Sequence, residues 1–428
     1  MNADSRKNLF ILAFTLVVVM LGFGMVIPVF PFYIDALGAG GSELGWLIAA
    51  YSLTQFLFAP IWGGVSDRTG RKPVLVVGIL GNGLSLLLMG LATELWMLFV
   101  ARTLAGVLSA ATLPTIMAYI SDSTPEEDRG GGMGKMGAAM SLGVILGPGL
   151  GGLLAGGSLS TPFFLAAGLS LVSLVLIFLL LPESLPADAR RRGKRSRQGA
   201  SFRQMLPALL RSIGVLLLMA FLVSFGLTNF EAIFGLYALE KFDYGPQQVG
   251  TILMVIGVVS AVAQGALTGP LTRHWGEAAV IRGSLLASAA GFLLMLLAGS
   301  YWTVLLTTGL FILAKTLLRP AVTSLTSKRT TAPQGVALGL NSSCMSLGRI
   351  AGPVWAGLLF DVEVRSPYLS GAVILFVGFV VSLLWLPKER PESSSAPQPP
   401  RGRQVRDLGS VQPGQDATLS NKKTAAPL

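Results

Sequence analysis

Apolar runs of roughly 18 to 25 residues, each long enough to cross a hydrocarbon core about 30 Å thick, recur along the chain as far as Pro387. With the turn residues between them, they predict helices over 9–34, 44–65, 73–92, 95–121, 133–155 and 161–182. A second set follows over 212–238, 247–271, 279–299, 302–325, 335–360 and 367–387. The first run follows Arg6 and Lys7 as a secretory signal would, but it continues through Pro28 and Pro31 to Tyr33. A signal's apolar region spans only about 7 to 15 residues, so this run is helix one.

Between helices six and seven lies a polar stretch with Arg190, Arg191, Arg192, Lys194, Arg195, Arg197 and Arg203. It divides the chain into a six-helix bundle over 1–182, a basic linker over 183–211, a second bundle over 212–387 and a tail over 388–428. An internal repeat supports this division. A shift of about 205 residues lays Gly269 and Gly276 over Gly63 and Gly70, Pro320 over Pro114, and Gly352-Pro353 over Gly147-Pro148. The expected fold is therefore an all-α membrane protein of twelve transmembrane helices in two pseudo-symmetric six-helix bundles. Repeats of this kind place substrate between the halves near the bilayer midplane, where rocking gives alternating access.

Charge then orients the bundle. Alternate connections hold Arg68, Arg71, Lys72, Arg129, Lys135, the central cluster, Arg273, Arg282, Lys328 and Arg329, whereas the opposite ones hold only Lys241 and Arg365. Positive charge stays in the cytoplasm, so both termini are expected there. With 52% hydrophobic and 12% charged residues, the composition is that of a bilayer protein. The net charge of +11 is spread over loops and tail rather than one face, which argues against a nucleic-acid partner. One cysteine, Cys344, excludes an internal disulfide or thiolate cluster, and the lone histidine, His274, falls in a loop. The tail, rich in Pro, Ser, Gly and Gln, has a composition that cannot bury a core.

Two runs carry specific chemistry. After helix two the chain reads Gly63-Gly64-Val65-Ser66-Asp67-Arg68-Thr69-Gly70-Arg71-Lys72-Pro73. The glycines let helix two approach a neighbour, Asp67 can accept hydrogen bonds from a helix N-terminus, and Arg71 and Lys72 anchor the basic face. Helix five carries Gly143-Val144-Ile145-Leu146-Gly147-Pro148-Gly149-Leu150-Gly151-Gly152, in which small residues let backbones touch and proline bends the helix.

The first run closely resembles the signature loop of the major facilitator superfamily, and the second resembles the glycine-proline motif of its proton-coupled antiporters. In helix one, Leu21-Gly22-Phe23-Gly24-Met25-Val26-Ile27-Pro28-Val29-Phe30-Pro31 is similar to a motif of the twelve-helix drug:proton antiporters. Arg102-Thr103-Leu104-Ala105-Gly106 resembles their buried-arginine motif, with Ala105 where glutamine is often seen. Phe230-Glu231-Ala232 and Leu318-Arg319-Pro320-Ala321 are similar to stretches of quinolone and multidrug exporters of Gram-positive bacteria. The resemblance implies a gating motif of Gly63, Asp67, Arg68, Gly70, Arg71 and Lys72, in which Asp67 docks on the start of helix eleven near Gly335 while the outer side is open. It also implies an antiporter motif of Gly143, Gly147, Pro148, Gly151 and Gly152, and a bacterial cell-membrane location.

An ionisable residue within a span costs at least about 2.5–3.5 kcal/mol, so each is a candidate for function. Glu231 is the carboxylate placed well inside a span. Burial favours its neutral form and an opposing cation its ionised form, so it is the candidate proton carrier. Arg102 and Glu231 each lie about seven residues from a helix end, roughly 10 Å below one surface, so Arg102 is the candidate partner. Lys315 and Arg319 share a face of helix ten, and Arg349 lies near the middle of helix eleven. Related exporters often have a carboxylate just before the Arg-Pro pair, where this chain has Lys315 and Thr316, so a zwitterionic or anionic substrate stays open. Met25, Phe30, Phe225, Phe230 and Phe234, with Lys315 and Arg319, are the candidate lining of an apolar cavity tolerant of many shapes.

The expected activity is export of a small amphipathic molecule in exchange for protons, by a monomer in the lipid bilayer, without cofactor or metal. The chain has no GxxxxGK[ST] loop for direct ATP coupling and no arrangement that suggests an enzyme. A proton-coupled uptake symporter, a nontransporting receptor and a lipid-modifying enzyme are the alternatives.

Overall fold

A computed structural model describes residues 3–185, 202–330 and 333–386. The core of the expected linker and the whole expected tail lie outside the described residues. Among those described there are twelve long helices and no strand. The first six are α1 (Ala3–Ala36), α2 (Gly41–Thr69), α3 (Arg71–Gly90), α4 (Leu95–Ser123), α5 (Arg129–Ala155) and α6 (Thr161–Leu180). The second six are α7 (Phe202–Phe242), α8 (Pro246–Trp275), α9 (Glu277–Leu296), α10 (Tyr301–Arg329), α11 (Gln334–Val362) and α12 (Ser366–Trp385).

Eleven are long and apolar enough to cross a membrane. The twelfth, α11, has 29 residues and carries Asn341, Ser342, Ser343, Ser346 and Arg349 among its apolar positions. Where water is absent, only a helix satisfies every backbone group internally, and this explains the near-complete helicity. The stops are local. Gly70 and Gly276, at equivalent places in the repeat, both take positive φ, 113° and 79°, a conformation that glycine adopts at no steric cost.

Three helices expected to be continuous are interrupted. α4 breaks between Leu95–Ser109 and Thr112–Ser123, and α10 between Tyr301–Thr316 and Leu318–Arg329. Pro114 and Pro320 lie just past the two breaks, and each lacks the N–H that would close a bond to the preceding turn. In α8 a π-helical turn, Ala263–Leu267, precedes Pro270 and absorbs the same defect.

Packing follows the repeat. α1 lies on α5 as α7 lies on α11, and α3 on α6 as α9 on α12. The two sets of helices meet through α2 against α11 and α5 against α8. The end of the bundle carrying Arg68, Arg71, Lys72, Arg273 and Arg329 is called the basic end below, and the other the far end.

Candidate functional site

At the far end the halves touch backbone to backbone. A Cβ on Gly152 of α5 would meet Gly250 Cα of α8 at 2.9 Å, and one on Gly357 of α11 would meet the Gly41 carbonyl carbon of α2 at 2.7 Å. These two seams are copies of each other, since Gly357 lies at the repeat spacing from Gly152. Within the halves, Cβ atoms on Gly147 and Gly151 would lie 2.7 Å from Gly24 Cα and Met25 Cα of α1, and Gly143 abuts Met20 in the same stripe. Gly348 and Gly352 press in the same way on Phe225 of α7. The glycine run of α5 thus has two faces, one fixed to α1 and one set against α8, with Pro148 buried at their junction.

The α2–α11 seam is also pinned by charge. Asp361, in the last turn of α11, accepts hydrogen bonds from the backbone N–H of Gly41 at 2.8 Å and of Ser42 at 2.9 Å, and from the Ser42 hydroxyl. Orphan N–H groups at a helix start and the positive end of its dipole favour a carboxylate there. Hydrogen bonds to a charged group contribute roughly 1.5–3 kcal/mol each when buried, and this carboxylate is partly solvated. Asp361→Asn is therefore expected to shift the balance toward opening of the far end by about tenfold. Distances between spin labels on α2 and α11 would reveal it, and an unchanged distribution would show that the seam closes without the carboxylate.

The same helices separate toward the basic end. There Gly63 and Gly64 of α2, Gly134 and Gly137 of α5, Gly265 and Gly269 of α8, and Gly335 and Gly339 of α11 face open space. The cleft between the halves therefore opens at the basic end. The gating motif is organised within its own half. The Arg71 guanidinium donates to Asp67 at 2.5 Å, to Asp122 at 2.8 Å and to the Ser66 hydroxyl at 3.1 Å. Glu183 accepts from the Arg71 and Lys72 backbone N–H groups at 2.8 and 3.2 Å, and Arg68 is exposed. Asp67 is thus held by Arg71 and does not dock near Gly335.

Glu231, half-buried on α7, has Lys315 of α10 and Arg349 of α11 as its charged neighbours. Lys315 is 3% exposed, its ammonium makes no hydrogen bond, and it lies 5.7 Å from the Phe311 ring centroid. Arg349 donates to the Ser346 hydroxyl at 3.1 Å and stands within electrostatic reach of Arg319, Tyr51 and Glu231. Arg319 and Arg349 are exposed.

Arg102 is not the partner of Glu231. Its guanidinium sits between the rings of Phe30 and Tyr51, 4.7 and 4.6 Å from their centroids, is 5% exposed, and leaves its Nε without a partner. Shared depth does not fix helix rotation, and α4 turns Arg102 toward α1 and α2. A cation over two aromatic faces gains cation–π attraction that partly offsets its burial.

The expected aromatic lining is placed differently as well. Met25, Phe30, Phe225, Phe230 and Phe234 are all buried, in packed cores rather than on the open cleft. Phe230 packs on Phe234 and Phe311 at 4.9 and 5.3 Å, and Phe30 on Phe163 at 5.9 Å. Three groups absent from the sequence expectation join the site: Tyr51, which links Arg102 to Arg349, Asp361 at the far seam, and Asp122 under the gating loop. A tyrosine within an apolar helix is a visible signal for the first. The other two look like ordinary loop charges.

A duplicated helical bundle with a cleft closed at one end by matched glycine seams is the architecture of a membrane transporter. The profile of the Major Facilitator Superfamily matches residues 12–264 and 216–412, and the chain belongs to this family. Multidrug resistance protein 2 of Bacillus subtilis (strain 168) is 34% identical over 400 residues, 92% of this chain and 99% of that protein. Quinolone resistance protein NorA of Staphylococcus aureus (strain N315) is 30% identical over 384 residues, 89% of this chain and 96% of its own length. Among solved structures, a bacterial homologue of the human lysosomal transporter Spinster, inward-facing and occupied, superposes with a TM-score of 0.76 at 13% identity, over 90% of this chain and 97% of that one. The human organic anion transporter MFSD10 gives 0.62 at 22%, over 89% and 100%.

Proposed function

We propose that this protein exports small amphipathic compounds, multidrug substrates among them, in exchange for protons. The observation that carries the reading is a carboxylate within a spanning helix, Glu231, set beside two cations in a bundle whose halves meet through paired glycine seams. A carboxyl in that position has two accessible states. Low local dielectric favours the neutral acid, while Lys315 and Arg349 favour the anion. An acid that exchanges its proton for a substrate's positive group couples the two fluxes by competition, and the seams supply the two arrangements that alternating access requires. The relatives named for multidrug and quinolone resistance, similar over about nine-tenths of the chain, support the same substrate range.

In this reading the halves over 1–182 and 212–387 rock against each other as a monomer. The basic end faces the cytoplasm, since it carries the positive loops, and both termini lie on that side of a bacterial cell membrane. The open cleft is then the inward-facing state.

The test is proton movement by purified protein in pH-clamped vesicles when rhodamine 123, ethidium or norfloxacin is added. Proton release driven by at least one compound is the expected result. Silence toward all three, in protein that is folded and inserted, would point to a receptor or an enzyme. Proton and compound moving in the same direction would point to uptake.

A further inference from the structure

We propose that the first half of the bundle binds a halide ion, chloride in the cell, in a small cavity beside Arg102. The site lies within one half and depends on neither the direction nor the cargo of transport.

An unbalanced charge points to it first. Arg102 is 5% exposed and its Nε has no hydrogen-bond partner. Among the described residues no carboxylate pairs with it, and Tyr51 is the titratable group within its electrostatic reach. Buried charges are ordinarily paired, because an uncompensated ion in a low-dielectric interior is strongly destabilising. The flanking rings of Phe30 and Tyr51 recover part of that cost. Ring faces leave the N–H edge of the guanidinium unserved, however, and that edge carries five donors and no acceptor. The fold itself does not demand a cation here. Pro114 and Pro320 align α4 with α10, and in that register Thr308, uncharged and fully buried, stands where α4 has Arg102.

The second observation is the space beside this edge. Between α1, α2, α3 and α4 lies a cavity of about 30 Å³ whose walls include Arg102, Tyr51, Asn82 and Ser85. A single water needs roughly 10–15 Å³ of such space, so one halide fits, whereas sulfate or an organic acid does not. Donors dominate the polar wall. The Tyr51 hydroxyl accepts from Gln55 Nε2 at 3.0 Å and keeps its own proton for another partner. Asn82 Nδ2 donates to the Ser170 hydroxyl at 3.0 Å through one of its two N–H groups. Ser85 donates to the Gly81 carbonyl at 2.7 Å and offers the cavity only lone pairs. Water would satisfy these N–H groups and leave the charge as it is. A halide accepts from the same groups and also compensates the guanidinium. Entry does not require passage through the packed core, because Phe23 on the rim is 36% exposed and Tyr51 half-buried, with ring centroids 6.0 Å apart. Both are side chains that can turn.

The test is made on purified full-length protein in detergent, moved from sodium gluconate into sodium chloride or bromide at constant ionic strength. Each halide should raise the melting midpoint saturably, by about 3 °C. The NMR line of chloride should broaden in the presence of the protein and narrow again when bromide displaces it. Arg102→Gln removes the charge, and Ala105→Gln, on the cavity wall, fills the space and offers its amide oxygen to Arg102. Both should abolish the broadening and reduce the melting response to less than about 1 °C. If Arg102→Gln does not fold, Ala105→Gln decides alone. A folded wild type that neither broadens the line nor responds in melting more to halide than to gluconate overturns the proposal and leaves water as the occupant. Broadening that survives in folded Ala105→Gln also overturns it, since the ion would then bind elsewhere, as would an equal rise in melting with sulfate, which is too large for the cavity.

Discussion

Glu231→Gln is expected to abolish compound-driven proton movement while leaving the bundle folded. Glutamine keeps the size of the side chain and its hydrogen-bonding oxygen but has no proton to exchange. The packing around the position should persist, since Phe230 is held by Phe234 and Phe311 and its neighbours Ala232 and Ile233 are buried in the core. What changes is charge. Lys315 and Arg349 lose the one carboxylate among their neighbours in the cleft, so the positive group of a cargo finds no partner and its competition with the proton ends. Two readouts separate coupling from general damage. Proton release in response to rhodamine 123 should fall to the level of empty vesicles, whereas thermal unfolding in detergent should stay close to wild type. Proton release that survives the replacement would place the carrier elsewhere. Asp35 and Glu240 at the far end, which lie within electrostatic reach of each other, would be the next groups to replace.

The order and number of the helices are legible from the chain because a bilayer demands one long apolar run per crossing, and the repeat spacing anticipates the paired seams. Rotation about each helix axis is not legible. Arg102 and Glu231 share a depth, but packing turns Arg102 between Phe30 and Tyr51 and gives Glu231 the cations of α10 and α11 instead. The same limit applies to the aromatic residues. A phenylalanine in a spanning helix satisfies its hydrophobicity equally well against lipid, cleft or core, and the five apolar candidates for the cavity wall all lie in the core. Asp361 is invisible for another reason. Its partners, Gly41 and Ser42, are about 320 residues away in sequence, and nothing local to either segment marks the pair. Pro114 and Pro320 are plain in the sequence, yet whether a proline bends a helix or interrupts it depends on what the neighbouring helices allow.

Gly152→Leu is expected to remove the state closed at the far end and to stop turnover without unfolding the protein. Gly152 and Gly250 approach each other reciprocally: a Cβ on Gly250 would stand 2.8 Å from Gly152 Cα and 3.1 Å from its nitrogen. Backbone lies on both sides of the contact, so no side chain can swing away to make room, and α5 and α8 must move apart. Overpacking costs about 1–3 kcal/mol where neighbours adjust. Here the upper figure applies, which is roughly a hundredfold in the ratio of the two states. Stability should change much less, because the α5–α8 contact is one that alternating access must break in every cycle, and Gly143, Gly147 and Gly151 continue to fasten α5 to α1. Spin labels at Ser158 and Gln247, both exposed, in a Cys344→Ser background should report a longer far-end distance, and vesicle turnover should fall to background. Gly151→Leu provides the contrast. Its Cβ would meet Met25 within the same half, so it should lower the melting temperature without lengthening the α5–α8 distance. If Gly152→Leu left both distance and turnover unchanged, closure of the far end would not depend on this seam, and the glycine run would act only within its own half.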